Sequence, residues 1–233
     1  MYPLPVPPAA PGPPGPPGLP GLIETLRVRG GRIPFLDRHA ARLAAALSDL
    51  QMPAPSEHLV ALVAKHVTAD DAIVRVEIRD GRATVTSREA RDTAPPRLIT
   101  ATVPHAPYPH KTTERTAFER AAAEAWAAQA DEALLLTAGK LVAEATVWTV
   151  FWWEGETLRT PALALKVLPG VARARIGELV PLVEAWSGRG ELTGKSLFLA
   201  NAARGIVPVA TLDGEPVPPH KRTAKLARRF WPA

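Results

Sequence analysis

The chain has 233 residues and no cysteine, enough to bury a core in one large or two small domains, and it excludes disulfides, a thiolate nucleophile, a zinc-cysteine site and an iron-sulfur cluster. Hydrophobic residues make up 46% and charged residues 22%, an ordinary globular balance with no apolar run long enough to span a bilayer, so the expectation is a soluble, cytoplasmic protein without membrane or nucleic-acid partners. The formal charge of +5 comes from 28 Lys+Arg against 23 Asp+Glu, and the segment from His220 to Phe230 alone holds Lys221, Arg222, Lys225, Arg228 and Arg229, which reads as the wet face of a C-terminal helix, with a phosphate-binding tail as the alternative.

Residues 1–21 contain ten of the 26 prolines and no charge, a composition that favours a flexible or polyproline-II arm and lacks the pattern of a signal peptide. Beyond it, Leu22 to Val28 reads as a strand, and Gly30-Gly31 as a turn leading to Arg32–Leu36. Asp37 is placed to cap a helix carrying Leu43, Leu47 and Leu50 on one face, and Ser56 to cap a second helix through Val67. Ala72–Arg79 and Ala83–Arg88 flank Asp80-Gly81, a hairpin signal, with Ala72, Val74, Val76 and Ile78 on one face and Arg75, Glu77 and Arg79 on the other. One face is core, and the other is wet or lines a site.

Arg97–Val103 reads as a further strand, followed by a proline-rich connector. The second half continues with a helix over Thr113–Ala130, a hairpin of Glu132–Thr137 with Lys140–Thr146, a strand over Thr149–Trp153, a helix from Leu168-Pro169-Gly170 to about Trp186, and late strands at Ser196–Ala200 and Ile206–Leu212. The fold class is therefore mixed α/β or α+β in two subdomains, divided as an arm at 1–21, an N-terminal subdomain at 22–104, a connector at 105–112 and a C-terminal subdomain at 113–233.

The six histidines show no metal-ligand spacing, since His58 and His66 lie roughly 80° apart on a helix at ~100° per residue. No metal site is expected; surface or hydrogen-bonded core positions account for them. Neither a glycine-rich nucleotide loop nor a nucleophile elbow is present. Lysine remains: seven occur against 21 arginines, and Lys111 stands between the connector and a helix start, where partial desolvation and the helix dipole would lower its pKa and suit a Schiff-base amine. An exposed helix-start lysine is the plainer alternative on position alone.

The segments HKTTER at 110–115, DEALLL at 131–136, AEATVWTVFW at 143–152, TPAL at 160–163, LPGVAR at 168–173 and LANAARGIVPV at 199–209, with ETLRVRGGRIPFLDRHAARL at 24–43, run in one register. Together they resemble the class IV aminotransferase family, the fold type IV pyridoxal-phosphate enzymes, with a two-subdomain architecture like that of D-amino acid aminotransferase. The resemblance covers about Gly21 to Asp213. It implies that Lys111 forms the Schiff base with pyridoxal 5'-phosphate and that Glu144 pairs with the cofactor's pyridine nitrogen, keeping the ring an electron sink. Arg42 and the backbone N–H groups of Val171 and Ala172 would hold the phosphate. Ala172 and Ala202 stand where family members usually carry hydroxyls, and Arg115 where a tyrosine near the phenolic oxygen is frequent; a surface helix arginine is the alternative for Arg115. The family's usual Asp-Arg-Gly segment before the first matched strand is replaced by the proline-glycine run.

Within that family HKTTER, with RDGR at 79–82 and ARGIVPV at 203–209, resembles the aminodeoxychorismate lyases of folate synthesis, which release pyruvate from 4-amino-4-deoxychorismate to give 4-aminobenzoate. The resemblance implies that Lys111 takes a proton from the amine-bearing carbon and returns it after enolpyruvate departs. Arg75, Arg79 and Arg204, with Ala203 beside the last, are the candidates for binding the small-molecule substrate's carboxylates, against solvated arginines as the alternative. A branched-chain or D-amino acid aminotransferase is the runner-up, and a cofactor-free binding module the third reading. The family also implies a homodimer.

Overall fold

Short hydrophobic strands separated by glycine and proline dominate the chain, and the computed structural model assembles them into two units. It describes residues 20–65 and 69–232. Residues 1–19, His66 and the end of the helix expected through Val67 lie outside the described residues.

The first unit takes residues up to Ala90 together with Lys111–Glu114. Strand β1 (Leu22–Arg29), helix α1 (Leu36–Asp49), the short α2 (Leu59–Ala64), β2 (Asp71–Arg79) and β3 (Arg82–Glu89) build an antiparallel sheet in the order β1-β2-β3. The expected hairpin forms with Arg79 opposite Arg82. Asp80 at φ 51° and Gly81 at φ 71° both occupy the left-handed region that its two-residue turn demands. On β2 Ala72, Val74, Val76 and Ile78 are buried and Arg75 and Arg79 exposed, as the alternation predicts, while Ile73 at the strand's start is buried on the other face. The buried side chains join Leu22, Leu26 and Val28 of β1 and Leu43 and Ala46 of α1 in one core.

Two helix starts differ from expectation. Phe35, at φ 61°, precedes the first residue of α1, so Asp37 sits inside the first turn, where its carboxylate meets the helix dipole without capping. Ser56 does not cap α2, which begins after His58.

The second unit takes residues 91–110 and 115–233. Its elements are β4 (Arg97–Thr100), α3 (Thr116–Ala127), β5 (Glu132–Leu136), β6 (Val142–Ala145), β7 (Thr149–Glu154), β8 (Thr157–Pro161), α4 (Val171–Leu179), β9 (Leu182–Ala185), β10 (Leu197–Asn201), β11 (Gly205–Pro208), β12 (Thr211–Leu212), β13 (Glu215–Pro216) and α5 (Lys221–Phe230). They form two sheets, β13-β12-β4-β5-β6 and β11-β10-β7-β8-β9. Leu98, Leu134, Val150, Trp152, Leu197 and Leu199 share one core. On α5, Thr223, Leu226 and Phe230 are buried and the basic residues face outward, as expected. No helix among the described residues is long and apolar enough to cross a membrane.

The unit boundary falls after Ala90, where the sequence suggested 104. The reason is pairing: β4 lies parallel to both β5 and β12, which draws residues 97–100 into the second unit. Past Thr100 the Ala101 N–H still reaches Leu134 O at 2.9 Å, and the ladder then ends, Thr102 and Val103 donating to the Glu124 carboxylate at 2.6 and 3.2 Å. The expected connector is also divided. His105 donates to Leu136 O at 2.7 Å and Tyr108 to Lys166 O at 2.7 Å, both in the second unit, whereas Lys111–Glu114 belong to the first. Since Thr113 is engaged with Gly21, α3 starts at Thr116, three residues later than expected.

The helix expected to reach Trp186 ends at Leu179 and gives way to β9. Pro181 is the cause. It bars the helical conformation at Val180, which is extended at φ −155°, ψ 144°.

Candidate functional site

The residues singled out from the sequence divide between the units: Arg42, Arg75, Arg79 and Lys111 fall in the first, and Arg115, Glu144, Val171, Ala172, Ala202, Ala203 and Arg204 in the second.

In the first unit, residues 111–113 run antiparallel to the start of β1. Ile23 N–H donates to Lys111 O at 2.7 Å, Leu22 bridges Thr112, and Thr113 N–H donates to Gly21 O at 2.7 Å. Lys111 is thereby fixed by backbone pairing and its side chain is half-buried. Below the sheet lies a charge cluster that the sequence reading passed over. Glu24 shares the core face of β1 with Leu22 and Leu26 and is 2% exposed. His39 Nδ1 meets its Oε2 at 2.7 Å, while Arg42 grips both oxygens, Nε to Oε1 at 2.8 Å and Nη2 to Oε2 at 2.6 Å. Burial pushes the Glu24 carboxyl up, but Arg42 and His39 outweigh it and hold the pKa at about 2. Burial drives His39 below its ordinary value, and the charges of Arg42 and Lys111 add to that shift against the Glu24 bond.

Arg42 is therefore a held residue, its orientation set by a buried carboxylate. The other two arginines of this unit lie on the wet face of β2: Arg75 donates to Glu77 at 3.1 Å, and Arg79 donates to Thr113 Oγ1 at 3.2 Å. Arg79 thus stands at the segment that carries Lys111, and Arg75 does not.

In the second unit Glu144 lies on β6, 6% exposed in an otherwise apolar strand. His105 Nε2 lies 2.8 Å from its Oε1, and Leu168 N–H donates to the same oxygen at 3.3 Å. Oε2 accepts no bond among the described residues. Leu168 begins the loop into α4, whose first residues Val171 and Ala172 are buried; N–H groups there have no intrahelical acceptor. A Cβ on the preceding Gly170 would come 3.1 Å from Thr149 Oγ1, a tight approach that glycine avoids.

Two turns complete this neighbourhood. Thr146, two residues past Glu144, is clamped at both ends of its backbone. The buried Glu132 accepts its N–H at 3.0 Å, and Arg115 Nη2 donates to its C=O at 2.5 Å. Arg115 also reaches Tyr108 Oη at 3.2 Å and lies 4.7 Å from the Phe118 ring centroid, so it is neither a free surface arginine nor, within these contacts, a donor committed to a ligand. Asn201 ties the second turn to the first. Its Nδ2 donates to Val147 O at 3.2 Å, and its Oδ1 accepts from Ala203 and Arg204 N–H at 3.0 and 2.8 Å. The two amides that follow Ala202 are therefore spent on Asn201. Arg204 itself extends over the Trp148 ring at 5.6 Å.

Glu24 had a legible signal, an acid at core-facing parity between two leucines. His105 and Asn201 had none, because their partners are remote in sequence.

A sequence model of the family described as amino-transferase class IV matches residues 21–212. No curated protein sequence matches the chain significantly. Among solved structures, a protein of Legionella pneumophila provisionally named a 4-amino-4-deoxychorismate lyase superposes with a TM-score of 0.79 at 22% identity, covering 90% of each chain. A protein of Mesorhizobium loti provisionally named an amino-acid aminotransferase gives 0.77 at 28% identity, over 82% of this chain and 99% of that one. The branched-chain aminotransferase of Thermoproteus uzoniensis gives 0.82 at 23% identity, over 91% of this chain and 84% of that one.

Proposed function

Because this chain belongs to the class IV aminotransferase family, whose members are pyridoxal-phosphate enzymes, we propose that it binds pyridoxal 5'-phosphate and acts as a lyase on 4-amino-4-deoxychorismate, giving 4-aminobenzoate and pyruvate. The observation that carries the cofactor half is Glu144, a buried carboxylate fixed through one oxygen by His105 and Leu168, with the other oxygen uncommitted among the described residues. A pyridinium N–H needs such an acceptor. The buried N-terminus of α4 suits a phosphate in charge and in donor type, and in the first unit Arg42, held by Glu24 through Nε and Nη2, keeps Nη1 without a bond among the described residues as a further donor.

When bound, the cofactor withdraws electrons from the substrate carbon that bears the amine. The residues supply the rest. Lys111 anchors the cofactor, takes the proton from that carbon and later returns one, while Glu144 keeps a proton on the pyridine nitrogen. Arg204, braced over Trp148, is the candidate in the second unit for a substrate carboxylate, and Arg79 in the first. We propose further that the enzyme is a cytoplasmic homodimer.

The lyase half rests on HKTTER around Lys111 and its resemblance to the lyase branch. An aminotransferase is the second reading, favoured by the 28% identity to the Mesorhizobium protein. Supplying 4-amino-4-deoxychorismate without any keto acid separates them: a lyase forms pyruvate continuously, whereas an aminotransferase stops after one turnover until an acceptor is added. Turnover of branched-chain or D-amino acids that depends on 2-oxoglutarate, with no pyruvate from aminodeoxychorismate, would transfer the assignment to the second reading.

A further inference from the structure

Glu144 does not stand alone: a buried histidine touches it from an element remote in sequence. The His105 backbone is pinned by donation to Leu136 O at 2.7 Å, beside the strand that carries Glu144. Its ring is fully buried, packs edge-on against Phe118 at a centroid distance of 5.8 Å and 75°, and places Nε2 2.8 Å from Glu144 Oε1. Since an ionised carboxylate only accepts, Nε2 carries the hydrogen. The other ring nitrogen, Nδ1, is buried with no hydrogen-bond partner among the described residues.

That orphaned nitrogen decides the charge of the pair. An imidazolium would bury a second N–H with no acceptor, whereas the neutral ring leaves only a lone pair there. A neutral donor fixes the carboxylate without cancelling its charge. We propose, resting on the reading of Glu144 given above, that His105 is a positioning residue: its Nε2–H locks Oε1 and leaves Oε2, with the full negative charge of the pair, to hold the proton on the cofactor's ring nitrogen.

The test reconstitutes the protein with pyridoxal phosphate carrying nitrogen-15 in the ring and reads that nucleus by NMR beside steady-state kinetics. Wild type should show a protonated ring nitrogen. His105→Phe, which keeps the bulk and removes the donor, should move the resonance toward the unprotonated position and lower kcat by roughly tenfold or more, with KM within about twofold. His105→Gln, whose amide nitrogen reaches about the same place as Nε2, should recover both. A wild-type resonance and kcat in His105→Phe overturn the proposal, as does a His105→Gln protein as impaired as His105→Phe, since shape rather than donation would then matter.

Should His105→Phe not fold, as judged by its thermal transition, the Glu144→Gln background decides. There His105→Leu, a smaller side chain that also removes the donor, should leave the ring-nitrogen signal where Glu144→Gln alone puts it, and a further displacement overturns the coupling. A wild-type protein that takes up the cofactor with an unprotonated ring nitrogen overturns this proposal alone. One that takes up no cofactor overturns the functional reading beneath it.

Discussion

Glu24 and Glu144 invite comparison. Each is a carboxylate on a strand, almost wholly buried, and each meets a buried histidine whose far nitrogen has no partner among the described residues. The difference is the third member. Glu24 also receives a bidentate arginine, so both its oxygens are consumed and its charge is neutralised within the first unit. Among the described residues Glu144 receives only the histidine and one backbone N–H, both on the same oxygen. The first arrangement is self-sufficient and aims a residue, Arg42. The second leaves Oε2 open among the described residues, as the proposed contact with the cofactor's ring nitrogen requires.

The comparison breaks first on substitution. Glu144→Gln should keep the fold, because an amide retains an acceptor for His105, yet lose activity on the order of 100-fold or more, since it cannot hold a pyridinium proton. Turnover measured at saturating cofactor checks this, and a rate within a few-fold of wild type would make Glu144 a structural residue.

Glu24→Gln should reverse the pattern. Breaking a buried ion pair from one side leaves Arg42 uncompensated, and about 3 kcal/mol of stability should be lost, read from denaturant unfolding. Acid sharpens the same contrast. His39 and Glu24 both have folded pKa values below their unfolded ones, His39 below 6.5 and Glu24 at about 2 against 4.5. In each window the unfolded chain binds more protons, so stability is full above about pH 6.5 and falls as the pH drops. The His39 contribution goes first, and that of Glu24 between about 4.5 and 2. Unfolding midpoints over this range should lose the lower part of the decline in Glu24→Gln, and an unchanged profile would remove Glu24 as its source.

The smallest effect is expected at Arg75. It is exposed and, among the described residues, paired only with Glu77 at 3.1 Å, so Arg75→Ala should change stability by less than about 0.5 kcal/mol and leave KM within about twofold. A tenfold rise in KM would show that the wet face of β2 reads a substrate carboxylate after all.

Local signals in the sequence fared according to their range. Asp80-Gly81 foretold its hairpin because a two-residue turn requires left-handed backbone that Asp and Gly tolerate, and the alternation along β2 foretold its buried face because side chains on a strand alternate. The helix projected through Trp186 failed on Pro181, a signal that was present and outweighed by the apolar pattern on either side. The Asp37 cap failed because Phe35 took the left-handed conformation, which nothing in its neighbours foretells. Lys111 and Glu144 were legible only as members of a register of segments, since a lone lysine or glutamate carries no such message.

By itself the sequence determined the short strands, the amphipathic helices, the basic outer face of α5 and membership of the family, because each of these is written within a few residues or in the order of motifs along one chain. Tertiary structure decided the rest: that residues 111–113 pair with the start of β1, that β4 joins the second unit, that Asn201 takes the amides of Ala203 and Arg204, and that Glu24 and Glu144 each acquire a histidine. All four are contacts between residues far apart in sequence. Their geometry is set by strand register and by the demand that every buried charge find a partner, and a demand of that kind names the need for a partner without saying which residue will meet it.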